Sequence, residues 1–225
     1  MTLDFCSECA KLLDGTAVDD KQAARVEEAF PHCECEKYSV GKESPGPVSS
    51  EEIIYRMVVS PASIDWNAKK LIADSFRDTT LNGFSVFRDL ATNDHISAIA
   101  IDRLSRKAAA KPKTVQALIR FKVERVRSLE LEGVEGRLFC VYDETVPRRD
   151  PAQPRVPTHV TILQRLPPAK VDGRTKLMKD GTLKLYNLAE ADLLNVQDFR
   201  DGLFAKLNER SLAGDFVLPE PSAAL

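Results

Sequence analysis

VQALIRFKV, residues 115–123, alternates without a break: Val115, Ala117, Ile119, Phe121 and Val123 fall on one side of an extended chain, and Gln116, Leu118, Arg120 and Lys122 on the other. Successive side chains of a strand point to opposite faces, so this period of two predicts a long strand with one face in a core. The phase slips at Glu124–Val126 before Leu129 and Leu131 resume it, which predicts a bulge or bend.

Further strands are read on either side. EEIIYRMVVS (51–60) is rich in β-branched and aromatic residues and is closed by Pro61; FSVFRDL (84–90) follows Gly83. RLFCVYDE (137–144) and THVTILQRL (158–166) supply two more, separated by TVPRRDPAQPRVP (145–157), whose prolines lack ladder donors and predict a surface loop. Helices are expected from an Asp65 cap through WNAKKLIADSF (66–76) and from an Asp94 cap through HISAIAIDRLSRKAAA (95–110), with Pro112 forbidding continuation. Residues 174–186 read as a hairpin about Asp180-Gly181, and Leu188 to about Leu212 as a helix. Strands and helices do not alternate regularly enough for a doubly wound sheet. The expected fold is α+β: a mixed or antiparallel sheet with flanking helices, plus a small cysteine-rich helical head.

The expected division is a head at residues 1–38, a Gly-, Pro- and Ser-rich linker at 39–50, a main domain at 51–212 and a disordered tail at 213–225. A chain of 225 residues suffices for one sizeable core and an appendage. No apolar run approaches the roughly 18–20 residues of a membrane span, and MTLDFCSECAKLLDG lacks a basic segment and a cleavage site, so a cytoplasmic protein without a membrane role is expected. The net charge of −2 gives no global attraction to nucleic acid, which remains a conceivable but unindicated partner. The local basic run Arg103, Arg106, Lys107, Lys111 and Lys113 reads as a solvated helix end.

Four of the five cysteines form two short-range pairs, Cys6-x2-Cys9 and Cys33-x-Cys35, with His32 beside the second. Two such pairs can supply tetrahedral zinc with its soft ligands, so a structural zinc is expected on Cys6, Cys9, Cys33 and Cys35, with His32 able to replace a cysteine. Free thiols packed in the head are the main alternative, and redox or iron–sulfur use is the other. Cys140 reads as an inert core residue, and disulfides are disfavoured in a reducing compartment.

Three resemblances bear on chemistry. His95-Ile-Ser97 and His159-Val-Thr161 resemble the paired His-x-Ser/Thr triplets of 2H phosphoesterases, which implies a general base, a general acid and hydroxyl contacts to a cyclic phosphate. Tyr55-Arg56 resembles the strand-borne Tyr-Arg of ADP-ribosyltransferase-like and RES-type folds, implying that Arg56 grips an NAD phosphate, with Ser75 or Ser85 and Glu144 as further members. IIYRMV, DSF, GFSVFRD and PTHVTI, in that order, are similar to segments of a group of uncharacterised bacterial proteins, which singles out Arg56, Ser75, Ser85, Arg88 and His159. The candidate catalytic residues are therefore Arg56, Ser85, Arg88, His159 and Thr161. The expected function is a zinc-stabilised protein that binds a small phosphate-bearing ligand or a protein partner; the alternative is a phosphate-handling enzyme in which His159 and Arg56 share one cleft, with His95 on a helix elsewhere.

Overall fold

The computed structural model describes residues 5–13, 21–40, 43–59, 64–65, 67–68, 70–144, 156–166, 172–192 and 196–218. Two short helices, α1 (Ser7–Leu13) and α2 (Gln22–Ala29), and a tight 3-10 turn, Glu34–Lys37, form the head. Strand β1 (Ile53–Val59) is followed by a two-stranded ribbon of β2 (Ile64–Asp65) and β3 (Lys70–Leu71), a 3-10 segment Ala73–Thr80, β4 (Phe84–Arg88) and helix α3 (Asn93–Leu104). Then come β5 (Val115–Lys122), a short helix α4 (Val123–Arg127), β6 (Phe139–Asp143), β7 (His159–Gln164), α5 (Arg174–Leu188), β8 (Glu190–Asp192) and α6 (Leu203–Ala213).

The six-stranded sheet has the order β6-β7-β4-β1-β5-β8, and each neighbouring pair is antiparallel. The fold is α+β. Antiparallel partners share a face, so the register Tyr55↔Phe87, Phe87↔His159 and Ser85↔Thr161 assigns those five residues to one side of the sheet. Ile54, Phe84, Val86, Ile119, Phe121, Val141, Val160 and Ile162 fill the other, under Phe76, α4 and α5. On the Ser85 side the apolar cover is divided. Ile96, Ala100 and Leu104 of α3 and Phe204 and Leu207 of α6 close over Met57, Phe87 and Leu118, whereas the head closes over Cys140, Tyr142 and Leu163.

The head shares this core. Cys33 is joined to Cys140 on β6, and Cys9 to Cys35 within the head. The cysteines offered to zinc are thus distributed differently from the expected set: Cys6 is a free thiol, and Cys140, read as inert, is a cross-link. Among the described residues no group of three or more His, Cys, Asp or Glu side chains is arranged to hold a metal. Glu36 also seals the sheet, because its Oε1 accepts the backbone N–H of Val141 on edge strand β6.

The described part of 39–50 is fastened and does not behave as a loose connection. Ser39 and Ser44 donate their hydroxyls to Asp143 at 3.1 and 2.6 Å, and the carbonyls of Gly46 and Val48 accept from Arg88 and Arg127. At the other end, Phe216 is buried and Leu218 bonds Arg106, so the first residues of the expected tail belong to the fold. Residues 219–225, and 145–155 of the expected surface loop, lie outside the described residues.

Four local expectations give way. The helix expected from Leu188 to about Leu212 is interrupted, with strand β8 at Glu190–Asp192 and helix only from Leu203. WNAKKLIADSF is not a helix from Asp65: its described residues form the ribbon and enter the 3-10 segment. The slip after Val123 is the helical turn α4, in which Val123 and Val126 reach the core. The expected hairpin at 174–186 is α5, with Gly181 inside it; a Cβ there would overlap the amide of the buried Gln164 on β7. Glycine is used for close approach, and the same residue that suggests a turn lets a helix lie against the sheet.

Candidate functional site

Ser85, His159 and Thr161 meet on one face because β4 and β7 are neighbours in a register that pairs Ser85 with Thr161 and Phe87 with His159. Ser85 Oγ and His159 Nε2 are 2.5 Å apart. On the other side of the ring, Glu144 Oε2 lies 3.1 Å from Nδ1. Glu144 follows β6 directly and prolongs its pairing with β7, since its N–H donates to the His159 carbonyl at 3.2 Å. Its Oε1 accepts the side-chain amide of Gln22 from α2 at 3.2 Å.

Serine, imidazole and carboxylate thus form a line. Glu144 is within charge contact of Nδ1 but off the N–H direction, so that nitrogen lacks an aligned hydrogen bond. Such contacts commonly tighten when substrate binds. His159 and Glu144 are buried, while Ser85 is half-buried.

Arg103 completes the group by donating from Nη2 to Ser85 Oγ at 2.5 Å. Helix α3 delivers it: Thr92 caps the helix by accepting from the His95 N–H, and His95, Ile99 and Arg103 recur at four-residue intervals along one face. The basic residue read as part of a solvated helix end therefore points into the sheet. His95 is on the expected helix but is not remote, for its Nδ1 lies 3.4 Å from Thr158 Oγ1, one residue before His159. Thr161 is buried against Gly83, where a Cβ would overlap its Oγ1; this glycine has φ +97° and keeps the turn into β4 tight.

Arg56 does not share the site. Alternation along β1 sends it through the opposite face, where its guanidinium stacks 4.0 Å from the Phe84 ring centroid, donates to the Ser85 carbonyl at 3.2 Å and pairs with Asp78 at 3.1 Å. Burial pushes its pKa down, and Asp78 opposes that shift. Arg88 is on that face too, forked onto both oxygens of Glu52, bonded to the Gly46 carbonyl and 3.7 Å from Asp143. The cleft expected to join Arg56 to His159 is therefore not formed: both Arg56 and Arg88 lie on the other face, and Arg103 is the arginine that reaches the Ser85–His159 pair. Ser75 is elsewhere, bonding the Ile72 carbonyl from the 3-10 segment.

In hydrogen-bond terms the arrangement at Ser85 is consistent: its hydroxyl can donate to Nε2 while accepting from Arg103, and Nδ1 then carries the ring hydrogen 3.1 Å from Glu144 Oε2 but not aimed at it. A hydroxyl so placed can lose its proton to the imidazole as it attacks, with the guanidinium stabilising the charge that develops on oxygen. Glu144 was named from the sequence as the glutamate of the Tyr-Arg resemblance but not as the partner of His159, Arg103 was named only within a basic run, and Gln22 carried no signal. Comparison with protein-family models, curated proteins and solved structures finds no match to this chain.

Proposed function

We propose that the protein is a serine-dependent hydrolase or transferase that opens an ester, carboxylic or phosphoric, in an anionic substrate. Ser85 is the nucleophile, His159 the general base that later protonates the leaving group, and Glu144 the carboxylate that orients and balances the imidazolium. Arg103 attracts the substrate's negative charge and steadies the oxyanion. The observation that carries this reading is the 2.5 Å approach of Ser85 Oγ to His159 Nε2 with Glu144 at the opposite ring nitrogen. It keeps the phosphate-handling chemistry suggested by His159 and moves the cationic role from Arg56 to Arg103.

A serine-directed fluorophosphonate probe tests it, with the labelled peptide located by mass spectrometry. Labelling is expected at Ser85, absent in Ser85→Ala and slowed at least about 100-fold in His159→Ala, a loss typical of removing a general base. A folded wild-type protein that takes no label and hydrolyses neither p-nitrophenyl acetate nor p-nitrophenyl phosphate would leave the Ser85–His159–Glu144 line a structural network.

A further inference from the structure

A cavity of about 520 Å³ opens at the end of β6 away from Glu144. The head contributes His32, Cys33, Glu36 and Lys37 to its walls, and the body contributes Arg127, Arg137 and Arg165. Its charge is unbalanced. Four cations line it against one carboxylate, Glu36, and that carboxylate is already committed: Oε1 to the Val141 N–H, Oε2 to Arg137 at 2.9 Å and to Arg127 at 3.0 Å. Arg165 draws on one more acid, Glu27, at 3.1 Å. Two carboxylates for four cations leave an excess of positive charge around a space of small-ligand size.

Two details point to an occupant. Arg127 is already held at every nitrogen, Nε by Glu36 Oε2, Nη1 by Ser50 and Nη2 by the Val48 carbonyl. Arg137 uses only Nη1, on Glu36, and Lys37 has no ion-pair or hydrogen-bond partner among the described residues, so these two keep donors for a ligand. His32 and Cys33, also in the lining, are consecutive non-glycine residues with φ of 60° and 61°, a costly backbone held in place by the Cys33–Cys140 bond. Arginine forks suit phosphate oxygens, which accept from two N–H groups at once.

We propose that this cavity binds a small phosphate-bearing molecule with at least two negative charges, gripped by Arg137 and Lys37. The site is distinct from Ser85: β6 separates them by the five residues from Phe139 to Asp143, about 16 Å of extended chain. The proposal stands whether or not Ser85 is a nucleophile.

Pyrophosphate, titrated calorimetrically into the oxidised full-length chain against sulfate at matched ionic strength, is the test. Saturable binding is expected to weaken with added salt, to fall at least about tenfold in Lys37→Ala/Arg137→Ala, and to persist in Ser85→Ala. Lys37 is exposed and Arg137 half-exposed, so this double variant is expected to keep the wild-type melting temperature. Absence of binding to the folded wild type, equal affinity for sulfate, or unchanged affinity in the folded double variant would each overturn the proposal. Loss of binding in Ser85→Ala alone would place the anion at the other site and overturn it too.

Discussion

Gln22 of the head donates its side-chain amide to Glu144 Oε1 across 122 positions of sequence, and Glu144 Oε2 in turn faces His159 Nδ1. The head thereby reaches the serine–histidine line through one hydrogen bond. Gln22→Met keeps the bulk and removes the donor; it is expected to slow Ser85 labelling by about tenfold and to change the pH profile of labelling, at a stability cost of about 1 kcal/mol. Rates at several pH values, beside a urea melt, check it. An unaltered profile would confine Gln22 to packing.

Arg56 lies on the far face of the sheet from His159, so its role is separable. Arg56→Ala is expected to destabilise by about 1–3 kcal/mol through loss of the Phe84 stack and the bond to the Ser85 carbonyl. The fraction that remains folded should label at close to the wild-type rate. A selective loss of labelling in a stable Arg56→Ala protein contradicts this assignment.

Gly181→Ala reverses an ordinary expectation. Inside an exposed helix the change adds about 1 kcal/mol of stability, but here the new methyl overlaps the Gln164 amide, which is fixed by its bonds to the Met178 carbonyl and the Thr182 hydroxyl. Overpacking at such a contact costs about 1–3 kcal/mol. Chemical denaturation should show a lower midpoint with an unchanged slope.

The cross-link Cys33–Cys140 closes a sequence separation of 107 residues, which on loop-closure grounds stabilises by roughly 4–5 kcal/mol. Cys140→Ala should therefore melt well below wild type, and reductant should narrow the gap. Thiol titration of the unfolded, unreduced chain should count one free cysteine, Cys6. The zinc reading of the head makes the opposite expectation: five titratable thiols and about one zinc per chain by elemental analysis.

Asp143 gives a pH signature. Burial raises its pKa, against the opposing pull of the Ser44 hydroxyl, the Val40 N–H, the Ser39 hydroxyl and Arg88. For a carboxyl raised in the folded state, the native protein binds the proton more tightly than the unfolded chain. Its contribution is then full below the unfolded value of about 3.9 and is lost as pH rises through the folded value. Asp143→Asn should remove that loss, so the stability of the variant relative to wild type should climb across this interval in urea melts. A constant difference from pH 3.5 to pH 7 would contradict it.

Period-two alternation was readable wherever one strand face was uniformly apolar, so β1, β4, β5, β6 and β7 match the expected runs closely. Reading failed where one local signal serves two geometries. Asp180-Gly181 suits a hairpin, yet the glycine is there to admit Gln164, a partner seventeen positions away. The phase slip after Val123 fits a bulge as well as a helical turn, and the need to bring Val126 into the core selects the turn.

The sequence by itself determined an α+β chain with these five strands, marked Ser85, His159 and Thr161 as candidates, and placed His159 and Thr161 on one strand face, because alternation and residue chemistry act over a few positions. Tertiary structure alone decided which strands are neighbours, and with that which candidates meet. The order β7-β4-β1 sets Ser85 beside His159 and turns Arg56 away, while α3 brings Arg103 in from eighteen positions beyond Ser85. The cysteines show the same division. Their spacing favoured two local pairs, but Cys33 takes Cys140 because the head closes the edge of β6, a contact set by burial across more than a hundred residues.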